Sequence, residues 1–118
     1  MEIRAILLSV TVILGTAAPA MADAIPASEA SAHIGQSVTI EGFVTATPVT
    51  INKTQFLDFG GSYPHQDFSV EISAADAAHF PRASDFNGKR VQVTGMITLY
   101  HGKPETVLTS VDNVKVVP

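Results

Sequence analysis

The sequence predicts an all-β domain with one short helix, folded as a five-stranded Greek-key barrel. Three observations lead there. The first is a repeated pattern: Gly35-Gln36-Ser37-Val38-Thr39-Ile40-Glu41-Gly42-Phe43-Val44 aligns with Gly88-Lys89-Arg90-Val91-Gln92-Val93-Thr94-Gly95-Met96-Ile97. In both copies a turn glycine leads into strict alternation. Val38, Ile40 and Val44 match Val91, Val93 and Ile97, and period two marks strands with one buried face. The second is the glycine inside each repeat, Gly42 and Gly95, which falls on the inward register. Such glycines mark a bulge, a bend or a close backbone approach, and two long strands bending at glycines suit a barrel that turns corners. The third is residues 54–72, two short strands joined by the polar turn Gly60-Gly61-Ser62-Tyr63-Pro64-His65. This hairpin holds Phe56, Phe59, Tyr63 and Phe68, half of the aromatic rings in a chain with six phenylalanines and two tyrosines.

From the N-terminus, the elements follow in order. Residues 1–22 read as a signal peptide: Arg4 begins it, an apolar run covers residues 5–18, and Ala20 and Ala22 supply small residues for cleavage after Ala22. The run is shorter than the roughly 20 apolar residues that span a bilayer. Residues 23–34, rich in alanine and serine, predict a flexible leader or a short helix packing on the barrel. The domain proper is residues 35–118. Its first strand is the first repeat, and the aromatic hairpin supplies the second and third. Ser73-Ala74-Ala75-Asp76-Ala77-Ala78-His79-Phe80 resembles a capping box with aspartate in place of glutamate, and Pro81 stops the helix. Ala77 and Phe80, three apart, then face the barrel. The second repeat makes the fourth strand, residues 105–109 the fifth, and residues 114–117 close the edge. Strand, strand, strand, helix, strand, strand is the order of the OB barrel.

Composition bounds the chemistry. The chain has no cysteine, which excludes disulfides, a thiol nucleophile and cysteine-bound zinc. An exported domain without disulfides depends on its own core. The expected location is the periplasm or the medium, with no membrane association once the leader is removed. The formal net charge is −4, and Lys53, Arg82, Lys89, Arg90, Lys103 and Lys115 are scattered. No broad basic patch of the kind that neutralises a duplex backbone is present. The four histidines, His33, His65, His79 and His101, lack metal-ligand spacing. Arg82 and Arg90 have no acid cluster beside them in sequence. The sequence therefore predicts no enzyme, no cofactor and no metal.

The segment Phe56-Leu57-Asp58-Phe59-Gly60-Gly61-Ser62-Tyr63-Pro64-His65-Gln66-Asp67-Phe68-Ser69 resembles small exported bacterial OB-fold domains reading F-L-N-F-G-G-x-Y-P-N-Q-x-F-T. The flanks at residues 88–95, 100–105 and 108–110 agree, and the resemblance covers residues 35–117. Such domains are similar to nucleic-acid-binding OB domains of the tRNA-anticodon and helicase type. They occur alone behind signal peptides or joined to secreted nucleases. Asp58 and His65 stand where the family pattern has asparagine, and a carboxylate there disfavours phosphate.

OB ligands lie across the second and third strands between two loops, here residues 48–53 and 101–104. The expected binding residues are Lys53, Phe56, Tyr63, His65, Tyr100 and Lys103. The lysines would contact phosphates, and Phe56, Tyr63 and Tyr100 would stack on bases. The alternation makes Phe68, Val70 and Ile72 core, turns one of Phe56 and Phe59 inward, and leaves Phe43 and Tyr100 exposed. The expected partner of this monomer is single-stranded nucleic acid. The alternatives are a periplasmic protein or small ligand, or an accessory role beside a secreted nuclease.

Overall fold

The computed structural model describes residues 23–118, and the predicted signal peptide lies outside them. The strands are β1 (Ile25–Pro26), β2 (Ser37–Ala46), β3 (Gln55–Phe59), β4 (Phe68–Ile72), β5 (Arg90–Met96), β6 (Thr98–Tyr100), β7 (Lys103–Val107) and β8 (Val114–Val116). The helical turn α1 (Ala74–Ala77) lies between β4 and β5, and 3-10 helices span Ala27–His33, Ala83–Phe86 and Val111–Asn113. The predicted all-β class with a short helix is what the chain adopts.

The two alternating repeats become neighbours. They form β2 and β5, paired antiparallel so that Gly42 faces Val91 and Gly95 faces Val38. The whole order is β6-β7-β4-β3-β2-β5-β8, with β1 added in parallel to β2. β4 and β7 are parallel, whereas the other pairs along that order are antiparallel. This hydrogen-bonded path of seven strands is open, and with β1 the sheet's eight strands exceed the predicted five. One cause is local: the second repeat breaks at Ile97. Its N–H donates to the Gln36 carbonyl and its carbonyl accepts from Gly35, which ties it to the start of β2. Beyond it the chain turns to pair with β7 as β6.

The core fills from the inward register. Ile40, Leu57, Phe59, Phe68, Val70, Ile72, Val91, Val93 and Ile97 are all essentially inaccessible. Residues 23–34 belong to this packing: β1 pairs with β2, and Ala27 and Ala30 of the adjoining 3-10 helix are core residues. Of the two readings the sequence allowed for this segment, the packed helix is the one formed. Ser73 caps α1 by accepting from the Asp76 N–H at 3.3 Å, and Ala77 and Phe80 face the core as expected.

The interior glycines serve close approach. A Cβ on Gly42 would lie 3.0 Å from Ala27 Cβ and 3.1 Å from the Phe59 ring. A Cβ on Gly95 would lie 2.5 Å from Thr106 Oγ1. Thr106 is buried, and its hydroxyl donates to the Met96 carbonyl at 2.7 Å, so it cannot swing aside without losing that bond. Gly95→Ala is therefore expected to lower stability by about 1–3 kcal/mol. The check is a lower urea midpoint with an unchanged slope.

The predicted last strand, residues 105–109, instead runs Lys103–Val107. His101 and Gly102, at φ 51° and 77°, turn β6 directly back onto β7. Lys103 and Pro104 therefore stand in the sheet and not in a loop.

Candidate functional site

Strand parity divides β3 and β4 into two faces. Leu57, Phe59, Phe68, Val70 and Ile72 point into the core, which settles the choice at β3: Phe59 goes in and Phe56 goes out. The opposite face carries Phe56 and Asp58 from β3 and Ser69 and Glu71 from β4. β7 adds Lys103 and Glu105, and β6 adds Thr98 and Tyr100. Register aligns Asp58, Ser69, Glu105 and Thr98 in one row across four strands. Lys103 and Tyr100 pair on one side of that row, and Phe56 and Glu71 on the other.

Over this face lies a groove of about 260 Å³. Its rings are Phe56, Tyr63, Tyr100 and His101, and its polar groups include Asp58, Gln66, Ser69, Lys103 and Glu105. Tyr63 and Tyr100 are 59% and 50% exposed, so both rings are accessible to a guest. The Tyr100 and His101 rings stack, with centroids 4.1 Å apart. The turn carrying Tyr63 is anchored by Thr45, whose hydroxyl donates to the Gly61 carbonyl at 2.8 Å and accepts from its N–H at 3.0 Å.

The floor is rich in acceptors. Asp58, only 2% exposed, accepts from the Ser69 hydroxyl at 2.8 Å through Oδ1. Its Oδ2 has no partner, and neither does Gln66 Oε1. Burial raises the Asp58 carboxyl above its ordinary value, against the lowering effect of Ser69. The nearby Tyr63 N–H also lowers it, without completing a hydrogen bond to Oδ2. Glu105 is pushed up to about 7, first by burial and then by the negative charges of Glu71 and Asp58. Lys103 stands beside these acids, yet among the described residues it has no carboxylate within 4.0 Å.

Four of the six expected binding residues meet here: Phe56, Tyr63, Tyr100 and Lys103. Lys53 and His65 do not line the groove. Lys53, at φ 70°, donates its N–H to the Thr50 carbonyl in a tight turn, and from this loop Pro48 and Thr50 form the wall. His65 is an exposed turn residue whose N–H donates to the Ser62 carbonyl. Sequence reasoning missed Gln66, Ser69 and Glu105, gave His101 as part of a flanking loop without naming it a binding residue, and noted Asp58 as a departure from the family pattern. The signal for Asp58 and Ser69 was present, since both alternate with core residues. Glu105 required the register of β7, which the sequence placed two residues late.

No protein-family model matches this sequence, and no curated protein matches it either. Among solved structures it is similar to a protein assigned as an aspartyl-tRNA synthetase from Leishmania major Friedlin. The TM-score is 0.53 and the identity 14%, over 86% of this chain and 22% of that one. It is also similar to a protein assigned as a nucleic-acid-binding lipoprotein from Klebsiella pneumoniae subsp. pneumoniae MGH 78578. There the TM-score is 0.43 and the identity 16%, over 78% of each chain. This chain thus spans about a fifth of the length of the synthetase chain, and that likeness concerns the fold, which is all-β and OB-like.

Proposed function

We propose that this protein is an exported, monomeric, non-catalytic OB domain that binds single-stranded nucleic acid weakly through the groove over β3, β4, β6 and β7. In this reading β5, Ile97 and β6 act as one bent strand. β5 pairs with β2 and β6 with β7, so the chain itself joins the β6 end of the sheet to β5, next to the other end, as a barrel requires. The observation that carries the functional reading is the set of rings, half-buried Phe56 and exposed Tyr63 and Tyr100, around a cavity of about 260 Å³ with Lys103 beside it. A base stacked on an aromatic side chain gains about 1–3 kcal/mol, whatever its identity. Buried acids on the floor do not oppose this, because carboxylates pair with the N–H edges of bases. They do restrict phosphate contact to the lysine side of the groove.

Labelled oligothymidylate, titrated by fluorescence anisotropy at low and moderate salt, tests the reading. With one or two phosphates engaged, log K should fall against log salt with a slope of about −0.7 to −1.4. Phe56→Ala and Tyr100→Ala should each weaken binding by about fivefold to a hundredfold. Absence of salt-dependent binding at high micromolar protein would sink it. The acidic floor favours a second reading, a periplasmic module that holds a cationic small molecule or protein side chain. It would show itself by binding such a guest with no oligonucleotide bound.

A further inference from the structure

The groove floor is dominated by acceptors, and its Ser69 hydroxyl is already committed to Asp58. Glu105 lines the groove and, among the described residues, its carboxylate makes no hydrogen bond. Behind it, Asp58 Oδ2 and Gln66 Oε1 are buried and unpartnered. An acceptor that a guest cuts off from water without supplying a donor costs about 1–3 kcal/mol, so the guest that fits brings N–H groups to the Glu105 carboxylate. It is also flat, because the walls are rings, and it tolerates the cation of Lys103, two residues along β7 from Glu105 and opposite Tyr100. A guanidinium or ammonium guest satisfies the acids but is repelled by Lys103. A nucleotide satisfies both, its base on the floor and its phosphate toward the lysine.

Among the bases, the donor pattern discriminates. Thymine and uracil present one ring N–H between two carbonyls, which would face the carboxylate oxygens. Adenine and cytosine set a single amino group beside a ring acceptor. Guanine alone presents adjacent donors, N1–H and the N2 amino group, spaced to meet both oxygens of one carboxylate. Resting on the nucleic-acid reading above, we propose that the groove is a guanine-selective base pocket in which the Glu105 carboxylate takes the N1–H and N2–H edge. Asp58 and Gln66 would reinforce the acceptor character of the floor, and the rings of Phe56, Tyr63 and Tyr100 would frame the base.

The test uses labelled octathymidylate with one central thymine kept, replaced by guanine, or replaced by hypoxanthine, which lacks the N2 amine. Titrations are run at pH 8, above the value to which Glu105 is pushed. The guanine oligomer should bind about tenfold tighter than either of the others. Glu105→Gln should bring the guanine-to-hypoxanthine ratio to unity while octathymidylate still binds, which shows that the variant is folded. Asp58→Asn should reduce the ratio part of the way. Equal affinity for all three oligomers, or an unchanged ratio in Glu105→Gln, overturns guanine selectivity and leaves the nucleic-acid reading standing. No binding of any oligomer overturns both. Guanosine monophosphate competing as well as the guanine oligomer upholds the pocket and identifies free nucleotide as its source. Binding of N-acetyl-arginine amide in place of the oligomers overturns the proposal in favour of a guanidinium guest.

Discussion

Replacing Glu105 by glutamine is expected to stabilise the protein at pH 8 and to do nothing at pH 4. The carboxyl titrates near an ordinary 4.5 in the unfolded chain and at about 7 in the folded one. Between those values the folded state holds the proton that the unfolded state has released. Raising the pH through this window therefore favours unfolding, and the whole cost is present above about 7. Below 4.5 both states are protonated and the cost vanishes. The displacement corresponds to on the order of 3 kcal/mol. Glutamine keeps the shape of the neutral acid and carries no charge to bury. Urea denaturation of both proteins at several pH values measures the effect: the advantage of the variant should open between pH 4.5 and 7 and then level off. A gap that does not change with pH would refute the assignment. The same result would mean that the groove holds an energetic debt on its floor, which a donor-bearing guest could relieve.

Phe59→Ala is expected to cost about 3–5 kcal/mol, a large part of the 5–15 kcal/mol that holds a domain together. Phe59 is 1% exposed, and its ring lies 5.5 Å from that of Phe68, its partner across the β3–β4 ladder. It also fills the space that Gly42 leaves open on β2. The truncation therefore leaves a cavity where three strands meet, and the glycine has no side chain to fill it. Phe56→Ala, three residues earlier on the same strand, removes a ring from the groove face, and its effect on stability should be within about 1 kcal/mol. Thermal unfolding of the two variants side by side checks the contrast. A similar loss in both would mean that the two faces of β3 are not divided as described.

Much of the fold was legible because it is periodic. The alternation of Val38-Thr39-Ile40 and Val91-Gln92-Val93 specifies which side chains go inside whatever the strands pair with. The serine-to-aspartate spacing of α1 is satisfied within one turn of chain. The site was less legible because it is built across strands. Asp58, Ser69 and Glu105 share a row only because β4 is antiparallel to β3 and parallel to β7. Nothing near Glu105 in the chain announces either neighbour. Lys53 illustrates the converse: its place in a loop suggested contact, and the turn closing on Thr50 carried it off the groove wall.

The sequence by itself determined the all-β class, the helix that interrupts it, the core faces of the main strands and the aromatic hairpin. These follow from local preferences and period-two burial, which need no knowledge of partners. Tertiary structure alone decided the break at Ile97, the close approach at Gly42 and Gly95, and above all the character of the groove. A carboxylate's affinity for its proton depends on what excludes water from it and which charges lie beside it. For Glu105 those are set by three strands that meet only in the folded chain.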